Sequence, residues 1–138
     1  MTLGRMAWSA LRSLLAMVLA VAAMVLANHA GGALADWSGF PEGNDSRLAW
    51  DLGCFLLSGV AAIALLVKLA PCAPRAHALA FGLLLLVVIV LGVVRLGGDW
   101  PRWFSAGLLL GLPFQVWLGA RGKRPTSRLR RGSAGSGP

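Results

Sequence analysis

Apolar residues run along this chain in four long blocks, and the charged residues collect in the short segments between them. Ser13 to Ala35, Ala76 to Val94 and Trp103 to Ala120 contain no Asp, Glu, Lys or Arg. Each is about 18 residues or longer, enough for a helix rising about 1.5 Å per residue to cross about 30 Å of hydrocarbon. The remaining block, Leu52 to Val67, is shorter and is bounded by Asp51 and Lys68. It still spans if Lys68 snorkels along its methylenes and Asp51 sits in the first turn, where the positive end of the helix dipole favours a carboxylate. The pattern predicts an all-α fold, a polytopic transmembrane four-helix bundle with helices at about 9–30, 47–70, 76–95 and 101–120. A basic tail over 121–138, Gly/Ser-rich at its end, is expected to be disordered.

Composition agrees with that reading, since 57% hydrophobic and 13% charged residues are the wrong mixture for a soluble domain of 138 residues. Charge then supplies an orientation. With the N-terminus inside, Arg5, Arg12, Lys68, Arg75 and six tail residues face the cytoplasm, and only Arg47, Arg95 and Arg102 face out. Ten basic residues against three is the asymmetry that orients inserted helices, so both termini are expected on the cytoplasmic side of an inner (plasma) membrane. Asp36, Glu42, Asp45, Asp51 and Asp99 all land outside. The six tryptophans avoid the helix centres: Trp37, Trp50, Trp100 and Trp103 lie at the outer boundary, Trp8 and Trp117 near the inner one, as an interfacial belt requires. An alternative for the first block is a signal peptide, with Arg5 and Arg12 ahead of the apolar run and Ala33-Leu34-Ala35 as the cleavage site, which would leave three helices.

Local chemistry suggests where the helices end. Asn44, Asp45 and Ser46 are N-cap candidates for the second helix, and Asp99 is expected to cap the fourth with Pro101 in its opening turn. Gly31-Gly32 and Gly97-Gly98 suit the ends of the first and third helices, and Pro71 and Pro74 force a tight inner turn. Both outer connections read Gly-Gly and then Asp-Trp, at Asp36-Trp37 and at Asp99-Trp100, through hairpin duplication or through two helix ends meeting one interface. Because lipid removes most of the hydrophobic gain of helix association, small residues mark the packing faces. In the first helix Ala16, Ala20, Ala23, Ala27 and Ala30 form one such seam. In the fourth, Gly107 and Gly111 form a GxxxG that joins helices within one chain or between two copies.

Ionisable groups inside a membrane are functional suspects by default, because burying their charge is costly. Asp51 is the candidate proton or cation site, with Arg47 four residues earlier as its ion-pair partner. His29 is a second polar candidate, able in principle to join Asp36, Glu42, Asp45 or Cys54, although the spacing matches no metal-ligand motif. Gln115 is the third, two residues after a proline that frees a carbonyl one turn earlier. Cys54 and Cys72 are eighteen residues apart, about 27 Å if the second helix is continuous, and so cannot pair within one chain. No CxxC, HExxH or Gly-rich phosphate loop is present, so no catalytic residue, metal or cofactor is expected. The tail residues Arg121, Lys123, Arg124, Arg128, Arg130 and Arg131 suit anionic lipid headgroups at the inner face rather than nucleic acid.

One resemblance adds to this. Ala70-Pro71, the run Arg75 to Gly82, Pro101, Trp103, Pro113 and Gly119 resemble the corresponding positions of small, uncharacterised four-helix inner-membrane proteins found in many bacteria. The resemblance covers about half of the chain, from Leu57 to Lys123, and implies a bacterial inner membrane and a four-helix fold without supplying catalytic residues. The function expected is a non-enzymatic packing or accessory subunit, associating with its own copies or with another membrane protein. The alternatives are a small dimeric transporter coupled through Asp51, and an enzyme acting on lipid or quinone through a cavity joining His29, Asp51 and Gln115.

Overall fold

The computed structural model describes residues 3–96 and 98–121. They form four helices, α1 (Leu3–Trp37), α2 (Asp45–Leu69), α3 (Pro74–Leu96) and α4 (Arg102–Ala120), each long and apolar enough to cross a membrane. The protein is thus an integral membrane protein with a four-helix transmembrane fold. The basic residues Lys123, Arg124, Arg128, Arg130 and Arg131 lie outside the described residues.

Helix α2 packs against all three others. Its closest neighbours are α1 on one side and α4 on another, α3 closes on α4 and α2, and α1 scarcely touches α3. The core lies along α2, where Ile63, Leu66 and Val67 are buried together with Phe81 of α3. The outward faces are apolar as well, with Leu57, Leu79, Leu83, Val94 and Leu110 all more than 60% exposed, which suits lipid tails and not water.

Close approach of α4 to α2 depends on small residues at the contact. A Cβ added to Gly107 would lie 2.6 Å from Leu52 Cδ2, and one added to Gly111 would press still harder on Leu56. At Gly119 the neighbours are Ile63 Cβ and Cγ2 at 2.7 Å and the Val60 carbonyl oxygen at 3.0 Å. The GxxxG therefore joins two helices of the same chain. Gly82 performs the same service between α3 and α4, lying under Val116.

Several local expectations need correction. Helix α1 runs straight through Gly31-Gly32 to Trp37, seven residues beyond the expected end at 30, and begins at Leu3 rather than near 9. At about 1.5 Å per residue its 35 residues measure about 52 Å, longer than a hydrocarbon layer of about 30 Å. The buried face of α1 includes Ala16, Ala20, Met24 and Ala35, while Ala23 is half-buried and Ala27 and Ala30 are exposed. The expected seam drifts off the interface because a near-straight helix advances its contact face every 3.6 residues rather than every 3.5. Asp99 is not a cap: Pro101 occupies the N-cap of α4, and Asn44 that of α2, without side-chain capping bonds. The two Asp-Trp pairs also differ, Asp36-Trp37 being helical and Asp99-Trp100 lying in a turn. The turn between α2 and α3 is closed by Ala73, a non-glycine residue at φ 42° directly before Pro74.

Candidate functional site

The polar residues within the bundle fall into two groups, one between α1 and α2 and one that also reaches α4. The first group centres on Arg47, two residues into α2, whose side chain is only 12% exposed. Its guanidinium contacts the Asp36 carboxylate at the end of α1, and its Nε donates to both oxygens of Asp51 at 3.3 Å. Its Nη2 also donates to the Gly32 carbonyl at 3.3 Å. One turn deeper, Trp50 Nε1 donates to the Gly31 carbonyl at 2.9 Å, and its ring stacks on Phe40 of the connecting loop. The absent side chain at Gly31 makes this possible: a Cβ there would strike Cys54 Sγ at 2.7 Å, whereas one on Gly32 would meet Arg47 Nη2 at an ordinary 3.7 Å. The tandem glycines bring α2 close to α1 and expose two carbonyls to it.

The second group crosses the bundle at mid-depth. Asn28 Nδ2 donates to the Met24 carbonyl at 2.9 Å and to Ser58 Oγ at 2.7 Å. Ser58 Oγ donates to the Phe55 carbonyl at 3.1 Å, and the same carbonyl accepts from Gln115 Nε2 of α4 at 3.3 Å. Three helices are thereby joined through one carbonyl of α2. Gln115 is fully buried, with its amide pressed against Gly59 and its Oε1 without a partner among the described residues. Neither Asn28 nor Ser58 was assigned a role from sequence, although a polar residue inside an apolar block is itself a signal for an interhelical bond.

Between α1 and α3, where the helices stand apart, lies an open cleft of about 930 Å³. Its deeper part is apolar, lined by Val21, Val25, Phe55, Phe81, Leu85 and Val88. Its other end, toward the C-terminus of α1, is polar, lined by Asn28, His29, Asp36 and Arg47. The lining on α1 extends from Val21 to Asp36, fifteen residues or about 22 Å of helix.

The three residues singled out from sequence are not brought together. His29 is exposed at the rim of the cleft, Asp51 is held by Arg47 and is not part of the lining, and Gln115 is sealed between α2 and α4. A shared cavity joining His29, Asp51 and Gln115, the basis expected for a lipid or quinone enzyme, does not form. Among the described residues no group of three or more His, Cys, Asp or Glu converges as a metal site, so His29 does not meet Asp36, Glu42, Asp45 and Cys54 in that arrangement. Arg121, at the C-terminal end of α4, lies 3.4 Å from the ring centre of Trp117 in a cation–π contact.

Fold and site together define the class: a polytopic α-helical membrane protein whose internal polar groups are engaged with one another and whose open feature is a lateral cleft with one polar end. No protein-family model, curated protein or solved structure matches the chain.

Proposed function

We propose that the protein is a non-enzymatic accessory component of a bacterial inner membrane, with both termini cytoplasmic, that acts by holding another membrane constituent in the cleft between α1 and α3. The observation carrying this reading is the cleft itself. It is a lateral opening at lipid depth, while the polar groups nearest it are tied into structural bonds: Arg47 to two carboxylates, and Asn28 to Ser58. Asp51 as a transport carboxylate gains no support from this geometry, since it is half-buried against Arg47 outside the cleft lining. The ten-to-three division of basic residues supports the orientation.

Photo-crosslinking in native membranes tests the proposal. A photoreactive residue at Val25, inside the cleft, is expected to yield one discrete adduct, whereas the same residue at Leu110, on the outward face of α4, yields only diffuse lipid labelling. Indistinguishable labelling at the two positions refutes the cleft as a binding surface.

A further inference from the structure

Resting on that reading, we infer that the occupant of the cleft is a single-chain amphiphile with a cationic, hydrogen-bond-donating head, a long-chain amine in chemical class. Size is the first consideration. About 930 Å³ lies within the range of about 300–1,000 Å³ that holds one small ligand. A helix about 10 Å across and as long as the cleft displaces about 1,700 Å³, so a partner's transmembrane segment would stand largely outside it.

The head is set by the outer end of the cleft. Asp36, at the rim, and Asp51, beside it but outside the lining, share the one guanidinium of Arg47, so these three side chains together carry one more negative charge than positive. Asp36 remains 60% exposed with its carboxylate at the rim. The Asn28 amide NH2 is engaged by Met24 and Ser58, which leaves its carbonyl oxygen for a ligand. Acceptors and a carboxylate therefore face the head, and an ammonium answers both, whereas a carboxylate or phosphate meets like charge at Asp36.

The tail is set by the deeper part, where apolar side chains from three helices line the walls toward mid-bundle. Two amphiphilic ends at the correct depths follow: the polar rim lies beside the outer ends of α1 and α2, and Leu85 and Val21 lie near the middle of their helices.

The experiment uses the full-length protein in phosphatidylcholine nanodiscs, with hexadecylamine and palmitate as chain-matched probes and native mass spectrometry as the readout. One hexadecylamine per chain is expected, preferred over palmitate on the order of tenfold. Asp36→Asn should erase the preference and Asp36→Glu restore it, while Val25→Trp should remove binding of both probes by filling the apolar part. Equal retention of palmitate, or no retention of hexadecylamine, overturns the assignment of the ligand. If hexadecylamine fails and the Val25 crosslink nevertheless captures a discrete polypeptide, the ligand class is wrong and the accessory reading stands. If the Val25 crosslink captures nothing discrete, the accessory reading fails on its own account.

Discussion

Replacing Gly119 by alanine measures how tightly α4 is seated on α2. The new Cβ would lie 2.7 Å from both Cβ and Cγ2 of Ile63 and 3.0 Å from the Val60 carbonyl oxygen. None of these can swing aside, because Ile63 is β-branched and fully buried and Val60 offers backbone. Overpacking of this kind costs about 1–3 kcal/mol, and the helix propensity gained on replacing glycine by alanine returns about 1 kcal/mol. At Gly107 the obstacle is instead the terminal methyl of Leu52 at 2.6 Å, which can rotate away, so the two effects nearly cancel there. Gly119→Ala is therefore expected to be less stable than Gly107→Ala by about 1–2 kcal/mol. Unfolding of the purified protein in mixed dodecylmaltoside/SDS micelles, followed by tryptophan fluorescence, gives both values against the unaltered chain. Equal stability of the two variants would refute the close backbone approach at Gly119. A loss at Gly107 that appears only as dissociation of copies would refute the intrachain assignment of the GxxxG.

Two further perturbations address the polar clip and the inner turn. Arg47→Ala removes the links from α2 to Asp36, Asp51 and the Gly32 carbonyl; because both carboxylates are 41–60% exposed and stay hydrated, the cost is well below that of breaking a buried pair. The loss should be local, read as faster hydrogen exchange over residues 31–37 with α3 and α4 unchanged, and uniform exchange throughout would contradict a local clip. Ala73→Gly relieves a non-glycine residue at φ 42°, a gain of about 1–2 kcal/mol offset by about 0.4–1 kcal/mol of added unfolded-state freedom, so a small rise in thermal midpoint is expected and a fall would refute the strain.

How much of this was legible depends on whether the physics is local in the chain. Helix number was legible because exclusion of charge from hydrocarbon acts on each segment separately, whatever it packs against. The Arg47–Asp51 pair was legible for a related reason, since residues four apart on a helix are neighbours in any fold. Gly107 and Gly111 were recognisable as a packing face, but the partner was not: a flat strip of helix is equally suited to α2 and to a second copy. The bond from Arg47 to Asp36, eleven residues earlier, was hidden because α1 was expected to end before Asp36.

Gly31-Gly32 explains that error and also the cleft. Two adjacent glycines signal a helix end, because glycine tolerates positive φ, and equally signal a close approach, because glycine lacks a Cβ. Here the second use prevails. The first is excluded by the continuation of α1 to Trp37, and the approach is occupied by Cys54, Arg47 and Trp50 of α2. Those contacts hold the outer third of α1 against α2, and the Asn28–Ser58 bond holds its middle in the same way. All of these tethers point to α2, and α1 makes only slight contact with α3. The cleft is therefore the space left when one long helix is fastened along a single neighbour. Its polar rim is built from the fastening residues Asp36, Arg47 and Asn28. Any ligand drawn to that rim must compete with, or add to, the bonds that keep α1 in place, so occupancy and the stability of the outer end of α1 are thermodynamically coupled.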